Sequence, residues 1–219
     1  MKLSQSEENY IKALFHLTEQ IQKSDTSSSE LADKLKIKAA SVTAMLRRLR
    51  DKKLVSYKPY STIKLSKRGR ELAVQIIRKH RLWEVFLVKT LGFSWDKVHD
   101  IAEQLEHIES AELINRLDAF LKHPSTDPHG DPIPNAKGIV LESRKKQLAK
   151  VVVGNSYKVV SVADDSSPFL KYLLEHGISI GSQLKLENRH EFDESHSITL
   201  LDGRKISLSK QAAEHILVI

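Results

Sequence analysis

Between His80 and His107 the chain reads HRLWEVFLVKTLGFSWDKVHDIAEQLEH, two amphipathic helical segments that meet near Gly92. His80 and Glu84 stand one turn apart on the first segment. His99, Glu103, Glu106 and His107 follow at i, i+4, i+7 and i+8 on the second. At about 100° per residue these four positions cover roughly 100° of a helix circumference. Ile101, Ala102, Leu105 and Ile108 take the opposite side. Such a helix needs a packed core on one face, while its imidazoles and carboxylates either meet water or converge on a cation. Neutral imidazole and ionised carboxylate are ligands that divalent first-row metals accept. The pattern alone leaves both readings open.

Composition removes several classes. Among 219 residues there is no cysteine, so disulfides and thiolate–metal sites are excluded. No apolar run approaches the roughly 20 residues of a membrane span. The start, MKLSQSEENY, has no basic stretch leading into an apolar one. The expectation is a cytoplasmic globular protein without membrane association. A formal net charge of +7 favours an anionic partner.

The distribution of that charge is informative. Residues 7–22 place Tyr10, Ile11, Leu14, Phe15, Leu17 and Ile21 on one side of a core helix. After KSDTSSS, a serine at 28 or 29 is placed to cap a helix whose buried face is Leu31, Ala32 and Leu35. A turn at Ile37-Lys38 leads into AASVTAMLRRLRDKKLV, with Val42, Met45, Leu46 and Leu49 inward. Ser41, Thr43, Arg47, Arg48 and Arg50 lie more exposed. Two short helices on a tight turn, the second small and hydroxylated first and arginine-rich later, form a helix-turn-helix pattern. Small residues let such a helix approach base edges, and cations neutralise phosphates. Val55, Tyr57, Ile63 and Leu65 then read as two strands around a Pro-Tyr-Ser turn, a basic wing carrying Lys58, Lys64, Lys67, Arg68 and Arg70. Motif and charge together predict binding to double-stranded DNA. The contact candidates are Lys38, Ala40, Ser41, Thr43, Arg47, Lys58 and Lys64.

From about Gly69 a long helix presents Leu72, Ile76, Leu82, Trp83, Phe86 and Leu87, more apolar surface than one neighbour covers. Since half-site binding needs a two-fold pair, Trp83 and Phe86 are expected at a homodimer interface. The His/Glu helix is placed over 95–109, and a short helix follows with Leu113, Ile114, Leu117 and Leu121 buried. HPSTDPHGDPIPN, 123–135, is a turn-rich loop that holds Asp127 and His129, either a plain connector or a source of ligands. Residues 136–150 read as a linker. Beyond it YKVVSV, SIGSQLKLEN, HSITLL, RKISLS and EHILVI alternate as strands, with one short helix at Leu170–His176, which predicts a small, partly open SH3-like β-barrel. Asp164 and Asp165 precede Pro168 in a loop, where they either cap a turn or reach a metal.

The order of parts, with RKHRLWE at 78–84, KVHDIAEQLEH at 97–107 and DPHGDPIP at 127–134, resembles the diphtheria toxin repressor and manganese transport regulator family over essentially the full length. The resemblance implies a mainly α fold with β in three domains. These are a winged helix-turn-helix over 1–70, a helical metal-binding and dimerisation domain over 71–140, and an SH3-like domain over 151–219. It also implies a two-fold dimer that binds operator DNA when loaded with Fe(II) or Mn(II) and represses uptake of that metal.

By the same resemblance, Glu103, Glu106 and His107 form one metal site with help from Asn9. The second uses His80, Glu84 and His99, or, as in the manganese branch, Glu84, Asp127, His129 and Asp164. Asn9 departs from the family, whose manganese branch has Asp there and whose iron branch has Met. Glu103 stands where iron-responsive members have Cys. Oxygen ligation without a thiolate favours Mn(II), with Fe(II) as the alternative and Zn(II) able to bind in vitro. Two other classes of function compete with this reading. A metallohydrolase needs an open coordination position and a base, but no HExxH pattern, serine-nucleophile motif or glycine-rich phosphate loop occurs, so neither enzyme activity nor a small-molecule substrate is expected. A winged-helix regulator that senses no metal, and an adaptor acting through its barrel, remain the binding alternatives.

Overall fold

The computed structural model describes residues 3–20, 25–57, 62–140 and 144–219. Lys58, the Pro-Tyr-Ser turn of the wing and Ile21 lie outside them. Internal contacts divide the chain into two compact units. The first comprises Met1–His80, Leu105–Ser110 and Pro134–Ile139. The second comprises Arg81–Gln104, Ala111–Ile133 and Val140–Ile219.

In the first unit α1 (Gln5–Phe15) is set by a capping box: the Ser4 hydroxyl accepts from Glu7 N–H, and the Glu7 carboxylate accepts from Ser4 N–H. A π-helical turn, His16–Gln20, continues it. The next helix, α2 (Ser28–Leu35), has the same device at Ser27 and Glu30, one residue before the serine expected from sequence. The SxxE spacing decides between the neighbouring serines, because only Ser27 has a Glu three residues on. Lys36 adopts a left-handed conformation (φ 55°) and Ile37 N–H bonds Ala32 C=O, which turns the chain sharply into α3 (Ala39–Asp51). Val42, Leu46 and Leu49 of α3 are fully buried with Leu14, Leu31 and Leu54. The wing is β1 (Val55–Ser56) antiparallel to β2 (Lys64–Leu65), extended by a bridge between Thr26 and Ile63.

Helix α4 (Lys67–Lys89) begins against the wing, where Ser66 caps it by accepting from Gly69 N–H. The His/Glu helix is shorter than its pattern: α5 covers His99–Leu105 only. Helix α6 (Ala111–Phe120) buries Ile114 and Leu117, whereas Leu113, expected inside, is 39% exposed.

The second unit carries a six-stranded antiparallel sheet in the order β3-β8-β4-β5-β6-β7. Its strands are β3 (Lys146–Gln147), β4 (Ser156–Val162), β5 (Gln183–Arg189), β6 (His196–Leu200), β7 (Lys205–Leu208) and β8 (Ile216–Val218). Helix α7 (Ser167–Glu175) packs on it, and α8 (Lys210–His215), which strand alternation had hidden, precedes β8. β3 and the fully buried Leu148 lie in the stretch read as linker, so barrel structure starts upstream of 151. Val88 and Trp95 pack into the barrel core. Among the described residues, no helix is long and apolar enough to cross a membrane.

Candidate metal centres and nucleic-acid interface

The first unit gathers one set of ligand-type side chains. Glu106, fully buried, sits just past α5 and accepts from Lys12 Nζ through both oxygens, 2.9 and 2.8 Å. It also pairs with His80 Nδ1 at 2.6 Å. Burial alone would raise the Glu106 carboxyl, but the His80 hydrogen bond and the Lys12 charge outweigh it and hold it below its ordinary value. One residue on, His107 Nδ1 donates to Glu8 at 2.5 Å. A cavity of about 410 Å³ lies there, lined by Leu3, Ser4, Gln5, Glu8, His107 and Glu109. The Asn9 amide oxygen is buried without a hydrogen-bond partner. Glu8, Asn9 and Lys12 all come from α1.

The second unit gathers another. Glu84, Asp127 and His129, all buried, place one ligand atom each within 4.8 Å of one another. His129 rests on the Trp95 ring (centroids 5.9 Å apart, 20° between planes), and its Nε2 lies 2.9 Å from the Trp95 carbonyl oxygen. A carbonyl only accepts, so Nε2 carries a proton and Nδ1 faces Glu84 at 3.7 Å. Asp127 accepts from the backbone N–H groups of His129 and Asp131, which winds its loop around the carboxylate. Arg81 binds the same loop: Nη1 donates to Pro132 C=O at 2.5 Å, Nη2 reaches Asp131 at 3.2 Å and Nε lies 3.5 Å from Asp127. Asp131 in turn meets Lys145 and the Ser161 hydroxyl of β4. Val162 N–H bonds His129 C=O, and Gly130 (φ 82°) lies so close to β4 that a Cβ would collide with the Val160 carbonyl.

These contacts shift the titrating groups. Burial, then the charges of Glu84 and Asp131, push Asp127 up to about 7 against the opposing pull of Arg81 and His129. Burial would lower His129, but Glu84, Asp127 and the Trp95 carbonyl outweigh it and raise it to about 9. The cluster therefore holds protons where a cation would relieve the crowded carboxylates. Beside this group in space, His99 stands 3.7 Å from Glu84, 3.6 Å from Glu103 and 3.5 Å from Asp165. Asp164 accepts from Ser166 N–H at 2.8 Å, so in this conformation it caps a turn while its neighbour faces His99.

Both sets offer oxygen and nitrogen and no sulfur, the donor chemistry of hard divalent ions, and the unpartnered Asn9 oxygen and the crowded Glu84–Asp127–His129 group fit such an ion. Sequence reasoning missed Lys12, Glu8, Arg81, Asp131 and Trp95. Arg81 lies within RKHRLWE and Asp131 within DPHGDPIP, the signals that could have found them.

On the DNA side, α3 presents Ala40, Ser41 and Arg47 exposed and Thr43 half-buried, with Lys38 at its N-terminus. Thr43 Oγ1 bonds Ala39 C=O at 3.3 Å. Lys64 of the wing is exposed, 3.6 Å from Asp25.

Comparison with known proteins agrees with this layout. The model described as "Iron dependent repressor, N-terminal DNA binding domain" matches residues 2–63. That described as "Iron dependent repressor, metal binding and dimerisation domain" matches 66–135, and the FeoA domain matches 146–219. The iron-dependent repressor IdeR of Mycobacterium bovis is 31% identical over 133 residues, 61% of this chain and 57% of that protein. The chain thus spans little more than half the length of the curated relatives it matches first. The diphtheria toxin repressor of Corynebacterium diphtheriae is 26% identical over 95% of this chain and 94% of its own. Among solved structures, a manganese-dependent transcriptional repressor in complex with manganese superposes with a TM-score of 0.89 at 35% identity, covering 97% of this chain and 99% of that one. Three family models in unbroken order and a full-length structural match leave one assignment: the chain belongs to the iron-dependent repressor family, with a FeoA domain at its C-terminal end.

Proposed function

We propose that this protein is a metal-dependent transcriptional repressor that binds operator DNA as a homodimer when loaded with Mn(II). The observation that carries the proposal is the buried Glu84–Asp127–His129 group. Two carboxylates and an imidazole taken out of water are costly unless a cation joins them. Mn(II) is chosen over Fe(II) because every donor is oxygen or nitrogen with no thiolate, and a structural relative that matches over the full length is manganese-dependent. Glu84, Asp127 and His129, with His99 and Asp165 nearby or Asp164 swung out of its turn, would hold one ion. Glu106 and His107, with His80 and Asn9, would supply the other. At the first group the residues would hold an ion whose positive charge would offset the crowded carboxylates of Glu84 and Asp127 and favour one arrangement of the chain over others.

DNA recognition is assigned to α3 and the wing. Ala40, Ser41 and Thr43 approach base edges, while Lys38, Arg47, Lys58 and Lys64 meet phosphates. Dimerisation is assigned to the apolar surface left at Phe86, Leu113 and Phe120. Phe120 is 63% exposed and packs edge-on against Phe86. Trp83 is buried within the chain and supports that surface from below. If metal favours the DNA-binding arrangement, DNA must tighten metal binding by the same factor.

The test is fluorescence anisotropy on the protein's own upstream DNA with chelator, Mn(II), anaerobic Fe(II) or Zn(II). Strong stimulation by Mn(II) over Fe(II) is expected. Equal stimulation removes the metal preference, and tight binding in chelator that no metal changes removes the metal-sensing role.

A further inference from the structure

Glu106 carries no solvent exposure, yet both of its oxygens are already taken by a cation of the chain itself. The Lys12 ammonium lies 2.9 Å from Oε1 and 2.8 Å from Oε2, and the lysine is itself only 8% exposed. The pair joins residues 94 positions apart, α1 to the turn after α5, and His80 closes the group at 2.6 Å. An ammonium held symmetrically by a desolvated carboxylate is a full positive charge where a divalent ion would have to sit. A divalent ion arriving at Glu106 must expel that charge or bind beside it, and low local polarity makes the second course costly.

The surroundings sharpen the point. Asn9 and Lys12, on one side of α1, give this site a neutral amide and a cation, so α1 brings no net negative charge beyond Glu8. Glu8 is itself engaged by His107 at 2.5 Å. The second group differs: there Arg81 reaches Asp127 only through Nε at 3.5 Å and spends its other donors on Pro132 and Asp131, leaving Glu84 and His129 facing each other. A lysine ammonium thus sits on the carboxylate of one centre, while at the other the described cation, Arg81, stands 3.5 Å from Asp127.

We propose that Lys12 is a resident competitor for the Glu106 site, a built-in cation that a divalent metal must displace and that sets the metal concentration at which this site fills. The proposal rests on the metal-dependent reading above. It makes the two centres fill in order, Glu84–Asp127–His129 first and Glu106 second. It also gives the N-terminal helix a metal-free tie to Glu106, which loading exchanges for a metal-dependent one.

The test is calorimetric Mn(II) titration of the full-length protein, wild type against Lys12→Met, which keeps the length of the side chain without its charge. Lys12→Met should tighten the weaker of two binding steps tenfold or more and leave the tighter step unchanged. Lys12→Arg should stay near wild type. In Lys12→Met/Glu106→Gln the gain should vanish. An unchanged or weakened second step in Lys12→Met overturns the proposal while Mn(II) binding by wild type upholds the functional reading. Binding by Lys12→Met alone supports the competition and refutes manganese sensing by the wild type. No binding by either protein refutes both. Wild-type protein gives a check that needs no variant: the Lys12 ammonium 15N resonance, sheltered in chelator, should be lost or moved on titration with diamagnetic Zn(II). A resonance that persists unshifted while two equivalents of Zn(II) bind overturns the displacement.

Discussion

His129 gives its Nε2 proton to the carbonyl oxygen of Trp95 across 2.9 Å, and that one bond decides which ring nitrogen faces Glu84. The same tryptophan carries the imidazole on its ring and packs into the barrel core. A ligand from an otherwise patternless loop is thus fixed by backbone on one side and by an aromatic plane on the other, the kind of support that orients metal-binding histidines.

Metal-free stability should fall with rising pH. Asp127, pushed up to about 7 from 3.8, and His129, pushed up to about 9 from 6.5, both hold protons more tightly in the folded chain. A raised folded value contributes stability that is complete below the unfolded value and lost as pH climbs through the folded one. In chelator, Tm should therefore decline from about pH 4 to 9, Asp127 acting between about 4 and 7 and His129 between about 6.5 and 9, and saturating Mn(II) should remove most of the decline by replacing the protons. Glu7 and Glu106, held low, act with the opposite sign but only below about pH 4.5, so the decline dominates above it. A Tm that rises with pH in chelator would contradict the assignment.

Gly130→Ala should loosen the second centre without touching a ligand. A Cβ there meets the Val160 carbonyl and the Ser161 Cα, and φ is 82°. The strain should cost more than about 1 kcal/mol in urea unfolding. Mn(II) affinity of the tighter site should fall with it, since His129 is the preceding residue. Unchanged unfolding and unchanged affinity would show that the loop does not depend on this close approach.

Arg81→Met should destabilise the second unit by about 3 kcal/mol, because Asp127 and Asp131 then share a poorly solvated place without their guanidinium. Arg81→Lys keeps the charge but not the three-way fork, so it should fall between Met and wild type. Chemical denaturation with chelator present separates the three. Equal stability of Met and Lys variants would mean that geometry, not charge, matters here.

Arg47→Ala should weaken DNA binding across sequences and lower the salt-dependence slope by about 1, as loss of one phosphate contact does. Arg47 is exposed on α3, so unfolding should be unaffected. Anisotropy at several salt concentrations reads both quantities, and an intact slope would remove Arg47 from the interface.

Much of the architecture was written in local periodicity. The buried sets Leu31–Ala32 and Val42–Leu46–Leu49, the SxxE caps and the alternating strands of the barrel each report which face of an element leaves water, and neighbours along the chain suffice to specify that. The same patterns misjudged places where a local rule was met by a different partner. Leu113 has the spacing of a buried residue but is 39% exposed, and α8 lay hidden inside an alternating run. Ligand identity was visible as chemistry: His80, Glu84, Asp127, His129, Glu106 and His107 are the residue types a divalent ion takes. Their grouping was not. Whether Lys12 meets Glu106, whether Asp127 lies beside Arg81, and whether Asp164 or Asp165 faces His99 depend on the path of the chain between them. Periodicity encodes how an element is buried. Pairing between distant charges is settled only when folding excludes water from both and limits which groups each can reach.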